Sequence, residues 1–240
     1  AASDVYKRQA TKYVPLTKDI MPSQYGTTRR ALLNHYGRTG RGAWADGISV
    51  VLVGSPEFSR GFSGIPAGLL SGIVNHHVPK WFRARTLPGE RVVRIPNWED
   101  KMTALVEESR GRDVRLVGGS PAWMLMYFEY LLQATGKRTV LDVFPNLSTF
   151  VHGGVDYNLY RAAIERQIGA TIDTIDIYPA TEAFVAFQSG EPGEGMMLNL
   201  ESGVYFEFVP ADKADDPLAE RLGLDQVETG VDYVIVISTN

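Results

Sequence analysis

An apolar strand followed directly by a polar turn is predicted over residues 170–183, which read ATIDTIDIYPATEA. Ile172, Ile175 and Ile177 give the first part of this segment its apolar side chains, which favours a β-strand over residues 170–177. In open α/β sheets, ligands bind in the crevice beyond the carboxyl ends of the strands. The segment therefore indicates an α/β fold with a binding site at this end of the strand.

The residue types of the turn suit a nucleotide and its metal ion. Tyr178 offers a flat apolar face for a base, and Thr181 offers a hydroxyl to a phosphate. Glu182 offers carboxylate oxygens to Mg²⁺, which favours carboxylates together with substrate phosphates. An ordinary role in packing and solvation at a strand end remains the alternative for all three residues.

Composition excludes several classes of function. The 240 residues carry a net charge of −4, so no basic excess indicates nucleic acid or anionic lipid as a partner. The chain contains no cysteine, which removes disulfides, thiolate nucleophiles and cysteine metal sites and fits a reducing compartment. No apolar run approaches the ~18 residues of a membrane-spanning helix. We therefore expect a cytoplasmic protein that does not bind membranes, whose oligomeric state the sequence leaves open.

Helices and strands alternate along most of the chain and give way to strands near its end. This order favours an α/β layer that passes into a more antiparallel sheet. Residues 1–9 lack periodicity and are interpreted as a non-native leader or a frayed terminus. Helices are predicted from residue 17, over residues 69–82, 98–110, 121–135 and 157–168, with a loop at 37–47 and strands at 48–53, 114–117, 150–152, 170–177, 184–187, 196–200, 204–209 and 233–238.

Five segments, in order, resemble a known family from about residue 11 to the end of the chain. The family is that of the plant auxin-responsive acyl acid–amino acid ligases (acyl acid amido synthetases) and their bacterial relatives, and the chain looks like a bacterial-type member. The segments are KYVPLT at 12–17, HGGV at 152–155, YPATEA at 178–183, YFEFVP at 205–210 and GVDYVIVISTN at 230–240.

The resemblance implies an adenylate-forming enzyme that uses ATP and Mg²⁺. In the implied reaction a carboxylate attacks the α-phosphate of ATP to give acyl-AMP and pyrophosphate, and the amine of an amino acid then displaces AMP to form an amide. The implied fold is most of the large N-terminal domain, over residues 10–240, without the small C-terminal domain. Three alternatives stay open: thioester formation with coenzyme A from the same adenylate, a non-catalytic protein that binds a nucleotide or an acid, and an unrelated α/β domain.

The resemblance also implies roles for individual residues. Tyr178 would flank adenine, while Gly153 and Gly154 would let the backbone approach the base closely. Thr181 would bond the α-phosphate, and Glu182 would ligate Mg²⁺. These residues form the implied nucleotide and metal site, with Thr181 and Glu182 as its catalytic members.

Three further positions bear on the nucleotide site. Lys12 would contact the β- and γ-phosphates, although a solvated lysine is an equal interpretation. Pro179 and Ala183 depart from the small residue and the glycine that the family often has. Pro179 stiffens the turn and Ala183 adopts a positive φ less readily than glycine, so the fine geometry of the turn stays open.

The acid would lie against apolar segments elsewhere in the chain. The resemblance places Leu69, Leu70 and Ser71, together with Trp123 and Met124, near the acyl pocket. Simple core packing is the alternative for each apolar member of this set. The sequence identifies neither the acid nor the amine acceptor.

The family's phosphate-binding loop and its ribose-binding Tyr-Arg-x-Gly-Asp segment would lie outside these 240 residues. We therefore expect that the 240 residues alone do not release pyrophosphate from ATP.

Overall fold

The computed structural model describes residues 14–17, 21–52, 54, 57–60, 64–78 and 80–239. Lys12 and the predicted leader at residues 1–9 lie outside the described residues. Helices and strands alternate through most of the described chain, as predicted. The helices are α1 (Met21–Thr39), α2 (Leu70–His77), α3 (Lys80–Arg83), α4 (Glu90–Val93), α5 (Trp98–Ser109), α6 (Pro121–Thr135) and α7 (Arg161–Ile168).

The strands become more closely spaced toward the end of the chain, where no α-helix separates them within the described residues. They are β1 (Ile48–Val51), β2 (Ser59–Arg60), β3 (Pro66–Ala67), β4 (Thr86–Leu87), β5 (Val114–Gly119), β6 (Thr149–Gly153), β7 (Asp173–Pro179), β8 (Phe184–Gln188), β9 (Met196–Leu198), β10 (Val204–Pro210) and β11 (Tyr233–Thr239).

A mixed sheet organises the molecule. Within the described residues seven strands pair in the order β4-β1-β5-β6-β7-β8-β9. The pairs from β4 to β7 are parallel, whereas β7–β8 and β8–β9 are antiparallel. The predicted α/β class, with mixed sheets flanked by helices, is confirmed.

The main core lies between one face of this sheet and the helices α5, α6 and α7. Its largest fully buried side chains include Phe150 of β6, Met102 of α5 and Phe128 of α6. Removing an apolar side chain of this size from water contributes roughly 1.5–3 kcal/mol. The Tyr127 hydroxyl lies in the same core and donates a hydrogen bond to Ser109 Oγ at 2.7 Å.

Helix α1 covers the opposite face of the sheet. Ala31 and Leu32 pack there against Ile175 of β7 and Phe187 of β8. His35, on the same helix, places Nε2 3.1 Å from the Asp173 carboxylate at the start of β7. Helices therefore cover both faces of the central part of the sheet.

The strands β10 and β11 form an antiparallel pair beside the main sheet. Phe206 and Phe208 of this pair are buried against Ala183, Val185 and Ala186 at the start of β8. A small second core therefore lies directly beneath the connection between β7 and β8.

The structure differs from the predicted elements mainly at helix ends. Helix α1 continues through Gly37, which was predicted to begin a loop, and ends at Gly40, whose φ of +67° is the left-handed conformation that closes helices. The helix predicted over residues 69–82 is broken at Val78, which is extended because it precedes a proline. The helix predicted from Tyr157 begins as a short 3₁₀ turn, and the α-helix starts at Arg161.

Among the described residues, none of the helices combines the length and the apolar character that crossing a membrane requires.

Replacing Tyr127 by Phe tests a polar contact placed deep in the main core. We expect Tyr127→Phe to lower the free energy of unfolding by about 1–2 kcal/mol, because a buried hydroxyl loses its hydrogen-bond partner. Thermal or denaturant unfolding measures the change. Tyr205→Phe is the matched control, since Tyr205 is exposed and its change should stay within about 0.5 kcal/mol. Equal effects of the two substitutions would contradict this account of the core.

Candidate functional site at the carboxyl edge of the sheet

The parallel strands bring most of the predicted site residues to one edge of the sheet. Because β1, β5, β6 and β7 are parallel, their carboxyl ends lie side by side. The glycine pair follows the end of β6, the Tyr178 turn follows β7, and α6 with Trp123 begins just beyond β5. The leucine pair and Ser71 lie at the start of α2, after β1. The sequence segments that were singled out separately therefore belong to one edge.

The turn between β7 and β8 is tight. The Ala180 N–H donates to the Ala183 carbonyl at 2.8 Å, and Pro179 pairs with Phe184 across the two strands. Ala183 is fully buried against the β10–β11 pair, so packing requires a small residue there. Two departures from the family pattern, Pro179 and Ala183, are thus accommodated by strand pairing and by burial.

This turn presents its functional groups outward. Thr181 is exposed, Glu182 is half-buried, and the Tyr178 side chain is 50% exposed although it lies within β7. Half a tyrosine surface facing solvent at a strand end leaves its ring free to cover a planar ligand. A hydroxyl and a carboxylate stand three and four residues farther along.

Glycine is favoured at the two positions at the end of β6 for different physical reasons. A Cβ on Gly153 would lie 2.2 Å from the carbonyl oxygen of Ile177 in β7, so only glycine permits this approach of the two strands. Gly154 has a φ of +85°, and a Cβ there would meet open space. Strand pairing explains Gly153, whereas Gly154 leaves an uncovered backbone next to the Tyr178 strand.

A buried polar cluster, which sequence reasoning missed, supports the glycine pair from below. His152 is almost fully buried, and its ring stacks on that of Tyr157 with the centroids 4.2 Å apart. Its Nδ1 lies 3.4 Å from the Asp176 carboxylate on β7. Burial, with the nearby Glu165, raises the pKa of Tyr157 above its usual range, and Arg161 over its ring partly offsets the rise. His152 and Asp176 are direct partners on the neighbouring strands β6 and β7. Their contact can be predicted from the sequence only once the register of the two strands is known.

A second part of the edge lies between β1 and β5. After β1 the chain continues to β4, which lies on the side of β1 away from β5. After β5 it continues to β6, which lies on the side of β5 away from β1. Such a change of direction opens a crevice at the carboxyl ends of the two strands. Helix α2, which contacts α1, and helix α6, on the opposite face, begin on either side of this crevice.

The five residues predicted to contact the acid divide into two groups. Leu69 is exposed, Leu70 is half-buried, and Ser71 Oγ accepts a hydrogen bond of 2.9 Å from the Gly54 N–H after β1. Trp123 is also partly exposed. Met124 is fully buried in the main core, which favours packing as its role and leaves it no surface toward the crevice.

Trp123 is paired with an aromatic residue that the sequence did not single out. Its ring centroid lies 5.2 Å from that of Trp98, the first residue of α5. The indole Nε1 of Trp98 is buried and has no hydrogen-bond partner among the described residues. An aromatic pair therefore joins the first turns of α5 and α6, and next to it lies a buried donor without an acceptor among the described residues.

A cavity of about 180 Å³ lies elsewhere, along the first half of β7. His35, Arg41 and Asp173 line it together with Arg161, and Arg41 makes an ion pair of 2.5 Å with Asp173. Asp173 precedes Tyr178 by five strand residues, roughly 17 Å at ~3.3 Å per residue. We do not place the nucleotide there, because the predicted groups lie at the other end of the strand.

The carboxylates of the described residues bear on metal binding. Among the residues that the structure describes, histidines and carboxylates form no group of three that could hold a metal ion by themselves. A Mg²⁺ ion at Glu182 would therefore need phosphate oxygens and water as its other ligands. That arrangement is usual for Mg²⁺, which often binds one or two carboxylates plus substrate phosphates.

The last part of the chain resembles a known protein family. Residues 197–240 match the model of the GH3 family central domain. These residues include β10 and β11, two of the segments on which the predicted resemblance depends. The predicted resemblance to the family is confirmed.

Two solved structures resemble this chain over nearly all of its length. A GH3.15 acyl acid amido synthetase matches with a TM-score of 0.73 and 12% identity, over 95% of this chain and 49% of that one. AtGH3.15 acyl acid amido synthetase in complex with 2,4-DB matches with a TM-score of 0.71 and 12% identity, over 95% and 48%. At this identity the likeness shows the fold. The chain spans about half the length of these two proteins, and the curated proteins contain no match to it.

Alanine at Gly153 tests the close approach of β6 and β7. We expect Gly153→Ala to destabilise the protein by about 1–3 kcal/mol, because the added methyl group forces the two strands apart. Gly26→Ala is the control, since Gly26 lies inside α1 with open space around it and should stabilise by about 0.5–1 kcal/mol. Thermal unfolding of the two variants gives the comparison. A neutral Gly153→Ala would show that the strands do not depend on this contact.

Proposed function

We propose that this chain forms most of the large domain of an ATP-dependent acid–amino acid ligase. Such an enzyme activates a carboxylic acid as acyl-AMP and then forms an amide with an amino acid. The observation that carries the proposal is the meeting of the glycine pair and the Tyr178–Glu182 turn at one sheet edge, in a chain with the fold of an acyl acid amido synthetase.

The reaction needs positioning and charge neutralisation more than covalent chemistry by the protein. A carboxylate resists amines because its oxygen is a poor leaving group, and AMP is a much better one. The protein must therefore hold the acid and the α-phosphate together and stabilise the charge that develops between them. None of this requires a cysteine.

The residues at the edge suit these tasks. We assign the exposed face of Tyr178 to the adenine ring and the uncovered backbone at Gly154 to its edge. The hydroxyl of Thr181 would donate to the α-phosphate, and Glu182 would hold Mg²⁺ with the phosphates. A bound Mg²⁺ would supply neutralisation of phosphate charge. Lys12 would contact the β- and γ-phosphates.

The acid would lie in the crevice between β1 and β5. Four residues that border this crevice would contact it: Leu69, Leu70, Ser71 and Trp123. The apolar body of the acid would pack on the exposed apolar surfaces of Leu69 and Trp123. The Ser71 hydroxyl accepts a hydrogen bond from the Gly54 N–H. We further propose a cytoplasmic location.

Two rival functions make different demands. Thioester formation with coenzyme A would use the same adenylate, so hydroxylamine trapping of the acyl-AMP would succeed in either case. Dependence on an amino acid or on coenzyme A, measured in a protein extended to the length of the structural relatives, separates the two. A binding protein without turnover would bind AMP but would not exchange pyrophosphate into ATP.

Nucleotide binding to the chain tests the site. We expect Thr181→Val to weaken AMP binding about 5–20-fold, because it removes one hydrogen bond to a charged phosphate. Glu182→Gln should leave AMP binding nearly unchanged and abolish the strengthening of ATP binding by Mg²⁺. Isothermal titration calorimetry with and without Mg²⁺ measures both effects.

Glu220→Gln is the matched control for charge, since Glu220 is exposed in a loop far along the chain. It should change neither affinity. Binding of AMP that is indifferent to Thr181 and Glu182, or no binding of AMP at all, would contradict the proposed site.

A further inference from the structure

A lysine is buried close to the crevice without an ion-pair partner. Lys101 of α5 is only 9% exposed, although lysines are seldom buried unless they are paired. Within the described residues no hydrogen bond or ion pair of 4 Å or less involves its ammonium group. Burial lowers the pKa of the Lys101 ammonium, and the negative charge of Glu57, which is not in direct contact, raises it by a smaller amount. The ammonium group thus has no carboxylate in direct contact among the described residues.

The fold places Lys101 at the same edge as the proposed site. Helix α5 leads through Gly111 into the start of β5, so its first turn lies at the opposite, carboxyl edge of the sheet. The contact between Trp98 in this first turn and Trp123 beyond β5 agrees with that placement. Lys101 follows Trp98 by three residues and therefore occupies the same side of the helix.

Two donors in this first turn lack acceptors. They are the indole N–H of Trp98, which is buried, and the Lys101 ammonium, which keeps some contact with solvent; neither has a hydrogen-bond partner among the described residues. Two such donors beside an aromatic pair favour a ligand with an apolar body and an oxygen anion.

The anion that fits here is not the carboxylate that reacts. Lys101 belongs to a helix that packs beside β4, and Glu57 follows β1, whereas Thr181 follows β7. Three strand intervals of ~4.8 Å separate β1 from β7, roughly 14 Å. A carboxylate placed against an α-phosphate at Thr181 is therefore beyond the reach of Lys101.

We propose that Lys101 and Trp98 form a specificity site for the remote end of the acid, and that the preferred acid carries a second carboxylate there, separated from the first by an apolar or aromatic body. This inference rests on the proposed function for the direction in which the acid lies. The aromatic body packs on the Trp98–Trp123 pair, and the second carboxylate accepts from the ammonium and the indole N–H.

A pair of acids that differ only in the remote group tests the proposal on the chain itself. The probes are 4-phenylbutanoate and 4-(4-carboxyphenyl)butanoate, and tryptophan fluorescence reports binding next to Trp98 and Trp123. We expect the diacid to bind at least tenfold more tightly than the monoacid. Lys101→Met should abolish this preference and leave the monoacid affinity unchanged, while Lys101→Arg should retain it.

Lys213→Met is the matched control, because Lys213 is exposed, and it should keep the full preference. Equal affinity for the two acids, binding of neither acid, or equal loss of both acids in Lys101→Met would overturn the proposal. If Lys101→Met fails to fold, acylation of Lys101 in the unaltered chain decides: the diacid should protect Lys101 from an amine-reactive reagent, and the monoacid should not.

The outcome is separable from that of the nucleotide experiment. Acid preference is measured without ATP, so it can be present while AMP fails to bind at Thr181. That result would refute the proposed ligase and keep the Lys101 site. Normal AMP binding without a diacid preference would refute the Lys101 site alone.

Discussion

Parallel pairing of β1, β5, β6 and β7 is the constraint on which the rest of the structure depends. It forces the carboxyl ends of four strands to the same edge, and each return to the opposite edge requires a crossover. The crossovers supply α5, α6 and α7, which bury one face, and α1 covers the other. The described groups proposed to bind a ligand follow from this alignment, because they lie at or just after the end of a strand or in the first turn of a helix.

The β6–β7 pair is the best-defined part of that edge. Gly153 permits the strands to approach, while below it the buried rings of His152 and Tyr157 stack beside the partly exposed Asp176. The backbone beyond the two strands is thus held from beneath by packed side chains. Such support is what a site needs to keep its geometry when a ligand arrives.

The sequence predicted the fold class and the position of the turn between β7 and β8 because strong local signals carried both. Helix α6 was predicted with its observed ends, since a proline begins it and Gly136 ends it in the left-handed conformation. The end of α1 was predicted too early, because either Gly37 or Gly40 could end a helix as far as the local sequence shows. Only the tertiary packing of α1 determines that the helix continues past Gly37. Lys101, Trp98 and the His152–Asp176 pair could not be found, since each depends on which strands and helices are neighbours in space.

The central claim is that the nucleotide lies at the carboxyl edge of the sheet rather than in the cavity along β7. Amide chemical-shift mapping of the chain with AMP tests this directly, because the two locations share no residues. The account predicts that the amides of residues 153–154, 178 and 180–183 shift in proportion to occupancy. Shifts confined to the surroundings of His35, Arg41 and Asp173 would contradict it.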